Sequence, residues 1–409
     1  MKLQLTAPQS NLLNSKIQIT GSKSETNRLL LLQALFPNLK IENLSNSDDA
    51  QVMQKGLEVT NGTVDIHHAG TAMRFLTSFF ASQEGKEVVL TGSKRMKERP
   101  IKVLVDALKD LGAEITYQGN EGYPPIKIRG KKLVTSTVSL PANISSQYIS
   151  SLLLTAPSLE NGIVINLVGK ITSVPYIKMT LSLLNSIGIR TEFEGNQIKV
   201  YPKNSAKDEV LTVESDWSAA SYFYSIVALS EVGSEIKLSS YKKHSLQGDS
   251  VLSEIYKDFG VSTTFLNNTI KLTKEKDIST DHIEVALENA PDIAQTIAVT
   301  CFGLSIGCHL TGLHTLPIKE TDRLAAMKTE LEKVGGSVAI TAESLTLKQE
   351  NQMIPNVAID TYNDHRMAMA FAPLVLKIPL KMNDAEVVSK SYPDFWSDMK
   401  HLGIQVKEL

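Results

Sequence analysis

The sequence predicts an α/β (α+β) protein of two domains, assembled from one small module used six times in 409 residues. Two observations carry this expectation. The first is a phrase that recurs six times: a charged or polar opening, an amphipathic helix, a glycine and a short β-like run. The copies open at SDDAQVMQKGLEV, KERPIKVLVDALKDLG, SVPYIKMTLSLLNSIG, GDSVLSEIYKDFG, KETDRLAAMKTELEKVG and SYPDFWSDMKHLG, with glycines at Gly62, Gly112, Gly188, Gly260, Gly335 and Gly403. Successive glycines lie 50 to 76 residues apart, too far for a solenoid unit and right for one small α/β module. The second is the set of β-branched or alternating runs between the helices, among them EVVLTG, YPPIKIRG, GIVINLVG, NQIKVYP, SEIKLSS, NTIKLTK, ESLTLKQ and VAIDTYN, many bounded by Gly, Pro or Asn. Strands and helices therefore alternate throughout, which excludes an all-helical bundle.

Composition narrows the class. With 42% apolar and 21% charged residues the chain is an ordinary globular protein, long enough for two cores. A nucleic-acid binder usually carries a basic excess, whereas the net charge here is −2, so the cations are expected in a pocket and no nucleic-acid partner is expected. Cys301 and Cys308, in IAVTCFGLSIGCHLTG, read as buried core thiols of a reducing compartment. No apolar run approaches about 20 residues, so nothing is expected to span or anchor in a membrane, and a cytoplasmic location is expected.

The elements follow in order. The opening MKLQLTAPQSNLLNSKIQITGSKS alternates like a strand and lacks the layout of a signal or transit peptide. GSKSETNRLLLLQAL places Lys23, Ser24 and Arg28 on the first turns of an apolar helix, an anion clamp without Walker P-loop spacing. HHAGTAMRFLTSFF sets a Gly70–Thr71 turn before another apolar helix, with Arg74 one turn inside, reaching a ligand or pairing structurally. His67 and His68, without a third ligand nearby, read as turn residues. In LTGSKRMKERPIKVLVDAL four cations precede a helix expected to begin at Pro100; Arg99 is the best placed, and some of Lys94, Arg95 and Lys97 are solvated decoration. ANISSQYISSLLLTAP caps an apolar helix with Ser145, Ser146 and Gln147. LTVESDWSAASYFYSIVAL begins a helix for which Ser215 or Asp216 is the cap. Asp292 opens the helix of NAPDIAQTIAVTCFGLS.

Two phrases resist a purely structural explanation. KETDRLAAM packs Lys319, Glu320, Asp322 and Arg323 into five residues, and TYNDHRMAMAFAPL sets Asp364, His365 and Arg366 before an almost wholly apolar helix. Charges at the mouth of a buried helix are costly unless paired or used by a ligand. Several helix starts and several cations, Lys390 included, suit a multiply anionic small molecule. The six copies divide three and three. Either the first strand joins the second half, with crossings near Gly21 and Ser215, or a continuous first domain begins at Met1.

GSKSETNR, AGTAMR, RMKERP, SSQ, PDIAQT, KETDRL, YNDHRMAMAF and KSYPDFW, in this order from residue 21 to 396, closely resemble the EPSP synthase (3-phosphoshikimate 1-carboxyvinyltransferase) family of enolpyruvyl transferases. The resemblance implies two domains of three βαβαββ copies each, residues 21–215 inserted between 1–20 and 216–409, with the active site in the cleft between them. It implies transfer of the enolpyruvyl group of phosphoenolpyruvate to the 5-hydroxyl of shikimate 3-phosphate through a tetrahedral adduct, without metal or cofactor, by a monomer in the cytoplasm. By position, Lys23, Ser24, Arg28, Ser145, Ser146, Gln147, Ser173, Asp292 and Lys319 match the shikimate 3-phosphate contacts. Lys23, Gly70, Arg99, Gln147, Arg323, Arg366 and Lys390 match the phosphoenolpyruvate contacts. Asp292, Glu320 and Lys23 match the proton-handling groups. The chain departs from the family pattern at Thr315, His68 and Phe75, where Asn, Asn and Pro are usual, so an altered response to phosphoenolpyruvate and its competitor glyphosate is expected. The sibling transferase acting on UDP-N-acetylglucosamine is the alternative; its mobile loop typically carries a reactive Cys that RMKERP lacks. An RNA 3′-phosphate cyclase-like protein would carry a basic surface instead, and a catalytically dead relative would not keep Lys23, Asp292, Glu320, Arg323, Arg366 and Lys390.

Overall fold

All six phrase glycines lie in left-handed backbone, with φ from 75° at Gly260 to 106° at Gly62. At the five other than Gly62, which lies within the strand Asn61–Asp65, this conformation lets the chain leave a helix and enter a strand without a Cβ penalty. At Gly260 and Gly335 the constraint is doubled, because a Cβ would collide with the carbonyl oxygens of Lys276 and Gln352. The computed structural model describes residues 1–142, 145–169, 171, 174–349 and 352–409.

The chain forms two units, Met1–Gly21 with Glu214–Leu409, and Ser22–Val213. Among the described residues five four-stranded sheets share one strand arrangement, two in the continuous unit and three in the discontinuous one. Four run strand, helix, parallel strand, helix, then a hairpin whose last strand lies antiparallel to the second; in the fifth, which opens with Ala358–Ile359 and Leu380–Met382, Leu3–Thr6 takes the place of the hairpin's last strand. Asn61–Asp65 pairs in parallel with Glu87–Thr91, onto which Ile126–Arg129 folds back, leaving Glu114–Tyr117 at the edge. The alternating burial of Glu87–Thr91 and Thr137–Pro141 shows the period of two that directs one face of each sheet to the core. In the discontinuous unit two sheets borrow from the N-terminus: Leu3–Thr6 pairs with Leu380–Met382 and Gln405–Glu408, and Asn14–Ile17 with Glu235–Ser239.

The first copy of the phrase differs. Its helices, Lys23–Leu35 and Asp48–Glu58, are accompanied by a sheet of two strands, Lys40–Glu42 beside Val210–Thr212 from the far end of the unit. No hairpin follows Asp48–Glu58, and Gly62 already lies in the opening strand of the next module. The first glycine interval, 50 residues against 68 to 76 elsewhere, is short because that hairpin is missing.

The two helices of a module are unlike. The first is buried all round, as Gly70–Ala81, Ala294–Gly303 and His365–Phe371 are along their whole length and Trp217–Leu229 is at every position but Ser218. The second buries one face, as Lys102–Asp110 does through Leu104, Val105, Ala107 and Leu108. Within each unit the buried helices pack on one another and carry the core. Side chains such as Phe75, Phe80, Trp217 and Phe223, all 0% exposed, contribute roughly 1.5–3 kcal/mol each. Apolar burial on this scale lets charged and hydroxylic residues sit at the starts of these helices out of bulk water.

Candidate functional site

In the continuous unit the Lys23–Leu35 helix starts without a side-chain cap, its Thr26 N–H donating to the Ser22 carbonyl at 2.8 Å. Lys23 Nζ lies 3.1 Å from Asp49 Oδ2. One turn on, Arg28 is 2% exposed. Its Nε donates to Thr180 Oγ1 at 2.8 Å, Nη1 to the Ser24 carbonyl at 2.8 Å, and Nη2 to Ser150 Oγ at 3.0 Å. The rings of Phe75 and Tyr176 stand 5.4 and 5.9 Å from its Cζ. Among the described residues no carboxylate pairs with it. Burial lowers its pKa to about 10, opposed in part by Tyr176 and Glu25.

Beside it the start of the Gly70–Ala81 helix is built around Arg99. A Cβ on Gly70 would lie 2.7 Å from Arg99 Nη1, so glycine is needed for the guanidinium to rest against the backbone. Gln147 Nε2 donates to Thr71 Oγ1 at 3.3 Å, joining this start to that of Ser146–Thr155, where Ser145 caps by accepting from the Gln147 N–H. Arg74 supports rather than lines this corner, donating to the carbonyls of Gly70 and Pro100 at 3.2 and 3.0 Å. Lys94 and Lys97 are exposed, and Arg95 pairs with Glu98 at 3.5 Å. Ser173 lies outside the described residues.

In the discontinuous unit four cations and four carboxylates form one network. Arg323, 2% exposed, donates from Nε to Asp364 Oδ2 at 2.7 Å, from Nη1 to Asp292 Oδ1 at 2.9 Å and from Nη2 to Glu320 Oε2 at 2.8 Å. Arg366 Nη2 donates to Asp292 Oδ2 at 3.1 Å and to Ser218 Oγ at 3.3 Å, whose hydroxyl donates to Asp249. Lys390 Nζ donates to Glu320 Oε1 at 3.0 Å, and Lys319 Nζ stands 3.4 Å from Asp292 Oδ1. Burial alone would raise the Asp292 pKa; Arg366, Lys319 and Arg323 outweigh it and hold this carboxyl far below the usual range. Arg323 and Arg366, which burial would discharge, are held above theirs chiefly by Asp364 and Asp292 respectively.

Capping explains why these chains converge locally. Asp322, Asp364 and Asp216 each accept an N–H in the first turn of the helix that follows, from Ala325, Arg366 and Ala219. The Asp216 cap resolves the choice with Ser215, whose hydroxyl instead donates to the Ile19 carbonyl. One expectation is corrected. The helix after the basic run begins at Lys102, not Pro100, because Ile101 is non-helical at φ −134°. The Pro100 carbonyl is already taken by Arg74 and by the Tyr148 hydroxyl.

Thr315 Oγ1 is buried with no hydrogen-bond partner among the described residues, and His67 and His68 are exposed in a turn, His67 at φ 47°. Cys301 and Cys308 are free and buried. Sequence reasoning missed Asp49, Ser150, Thr180, Ser218 and Asp249. Asp49 stands in the opening of the first phrase, and Ser150 and Ser218 are hydroxyls in otherwise apolar helices, a signal available in principle. Nothing local marks Thr180 or Asp249.

With this geometry in hand, comparison with known proteins is informative. The family model described as EPSP synthase (3-phosphoshikimate 1-carboxyvinyltransferase) matches residues 55–399. A Bacteroides fragilis protein named 3-phosphoshikimate 1-carboxyvinyltransferase is 42% identical over 413 residues, covering 100% of this chain and 99% of its own. One of the same name from Pseudoalteromonas atlantica is 35% identical, covering 95% and 96%. Among solved structures, EPSP synthase from Acinetobacter baumannii superposes with TM-score 0.80 at 20% identity over 100% of both chains. The enolpyruvyl transferase NikO from Streptomyces tendae gives TM-score 0.74 at 12% identity over 99% and 98%. These two likenesses establish a shared fold.

Proposed function

The chain belongs to the EPSP synthase (3-phosphoshikimate 1-carboxyvinyltransferase) family, and from that premise we propose that it transfers the enolpyruvyl group of phosphoenolpyruvate to the 5-hydroxyl of shikimate 3-phosphate, releasing phosphate. The observation that carries the reading is the network in which Asp292 and Glu320 share Arg323 while touching Lys319, Arg366 and Lys390. Both substrates carry a phosphate and a carboxylate, and such a network holds the cations to bind them and carboxylates to move protons between them.

Shikimate 3-phosphate takes Lys23, Ser24, Arg28, Ser145, Ser146, Gln147, Ser173, Asp292 and Lys319. Arg28 supports this assignment as a buried cation with hydroxyls, a carbonyl and aromatic faces around it. Phosphoenolpyruvate takes Lys23, Gly70, Arg99, Gln147, Arg323, Arg366 and Lys390. In the addition step the 5-hydroxyl oxygen bonds to C2 as its proton passes to Asp292, and C3 gains a proton from Glu320 or Lys23. In the elimination step C3 returns a proton to the group that supplied one, Glu320 or Lys23, as the C2–O bond to phosphate breaks and the double bond re-forms, and the proton held on Asp292 leaves with the phosphate. A carboxylate held as low as Asp292 is a weak base. Substrate anions that draw Arg366, Lys319 and Arg323 toward themselves restore its basicity at the moment it is needed. The reading also takes residues 21–215 as an inserted domain and the protein as a cytoplasmic monomer. Among the described residues no helix is long and apolar enough to cross a membrane.

The test is phosphate release by purified protein given phosphoenolpyruvate with either shikimate 3-phosphate or UDP-N-acetylglucosamine, in the presence of a chelator. Release with shikimate 3-phosphate alone is expected. Release only with the nucleotide sugar, or with neither, overturns the proposal.

A further inference from the structure

One buried carboxyl joins the discontinuous unit's network yet has no part in the chemistry proposed above. Asp249, 2% exposed, lies in the short 3-10 segment Gly248–Val251. The Ser218 hydroxyl donates to its Oδ2, and the same Ser218 oxygen accepts from Arg366 Nη2 at 3.3 Å, the nitrogen that also serves Asp292 Oδ2 at 3.1 Å. Asp249 Oδ1 is buried and meets no donor among the described residues. An ionised carboxylate there carries an unsolvated oxygen, a state that burial penalises.

The charges around it make the consequence specific. With Asp249 ionised, the network has four carboxylates, Asp249, Asp292, Glu320 and Asp364, against four cations, Lys319, Arg323, Arg366 and Lys390. Asp292 and, from the cap of the Trp217–Leu229 helix, Asp216 face Asp249 as like charges, with Arg366 the facing cation. Burial first and Asp292 second push this carboxyl up to about 7, against the pull of Arg366 and Ser218. A trianion approaching Arg366 meets less repulsion when Asp249 is neutral than when it is ionised.

We propose that Asp249 is a positioning residue that couples phosphoenolpyruvate binding at Arg366 to the uptake of one proton from solvent. Ionised, it anchors Arg366 through Ser218 and opposes the incoming anion. Protonated, it still accepts from Ser218 through one oxygen while its negative charge is gone. By linkage the anion and the proton favour each other's binding. The group is protonated below its folded value and ionised above it, so affinity for phosphoenolpyruvate falls as pH rises through neutrality. The inference rests on Arg366 being a phosphoenolpyruvate ligand, as assigned above.

The experiment compares Asp249→Asn with the unsubstituted protein. Asn keeps an acceptor oxygen for Ser218 and cannot ionise. The KM for phosphoenolpyruvate is measured at saturating shikimate 3-phosphate from pH 6 to 8.5, and the ratio of the two KM values at each pH removes the substrate's own ionisation. The expected ratio, unsubstituted over Asn, is near one at pH 6 and rises to about fivefold at pH 8.5. A role confined to folding moves kcat or the unfolding midpoint and leaves the ratio flat with pH, and a flat ratio overturns the inference. Should the Asn variant not fold, Asp249→Ser, smaller and equally neutral, carries the same expectation. Absence of phosphate release by the unsubstituted protein counts against the proposed reaction, whereas turnover with a flat ratio counts against Asp249 alone.

Discussion

Arg28, in the second turn of its helix in the continuous unit, and Arg323, at the start of its helix in the discontinuous unit, are both 2% exposed, yet they are kept charged in opposite ways. Arg323 is saturated by Asp364, Asp292 and Glu320, which overcome burial and lift its pKa above the ordinary value. Arg28 is held by two hydroxyls, a carbonyl and two ring faces, and burial brings it down to about 10. The difference is functional. A cation wrapped in carboxylates is part of a framework that substrates must loosen, while one wrapped in neutral dipoles has its field available for an anion. Aromatic faces contribute attraction without supplying a competing charge.

Three substitutions break or sharpen this contrast. The largest effect is expected from Arg323→Met, which strands Asp292, Glu320 and Asp364 in a buried place. Unfolding stability falls by about 3–5 kcal/mol, read from the urea midpoint, with phosphate release lost. An unchanged midpoint would show that the carboxylates do not depend on it. Arg28→Met comes next and behaves differently, because Thr180 and Ser150 already hydrogen-bond each other at 3.0 Å and no described carboxylate is left unpaired. Stability changes by less than about 1 kcal/mol, while binding of shikimate 3-phosphate, followed by titration calorimetry, weakens about 100-fold. Stability loss matching that of Arg323→Met would erase the distinction.

The smallest effect is expected from Phe75→Leu. Sequence comparison suggested that a bulky residue here disturbs the phosphoenolpyruvate side, but its ring stands 5.4 Å from Arg28. A desolvated cation–π contact contributes about 1–2 kcal/mol, so the KM for shikimate 3-phosphate rises about 5- to 30-fold. The KM for phosphoenolpyruvate and the inhibition by glyphosate stay nearly constant. A shift confined to phosphoenolpyruvate would return Phe75 to the role its position in the phrase first suggested.

How much of this was legible beforehand differs by residue. Lys319, Glu320, Arg323 and Arg366 were marked because charges beside buried helices demand an explanation that amphipathicity does not offer. Gly70 was marked as a close-approach position, although only the structure shows that Arg99 is what approaches. Asp249 and Thr180 were invisible, since a single Asp in GDSVLSEI or Thr in YIKMTLSLL matches any solvated turn or helix. Pro100 misled because a local start signal was overridden when its carbonyl was drawn to Arg74 and Tyr148.

Repetition of helix, glycine and strand is a short-range property, set by φ at single glycines and by periods of 3.6 and 2.0, so the α/β modules follow from the chain alone. Which module goes without its hairpin is readable too, in the short first interval. The pairing of Leu3–Thr6 with strands nearly 400 residues away, and the meeting of Asp249, Ser218, Arg366 and Asp292, are decided only when sheets and buried helices pack. Hydrogen bonds and buried charges act over a few ångströms, and only the folded chain brings such distant residues within that range.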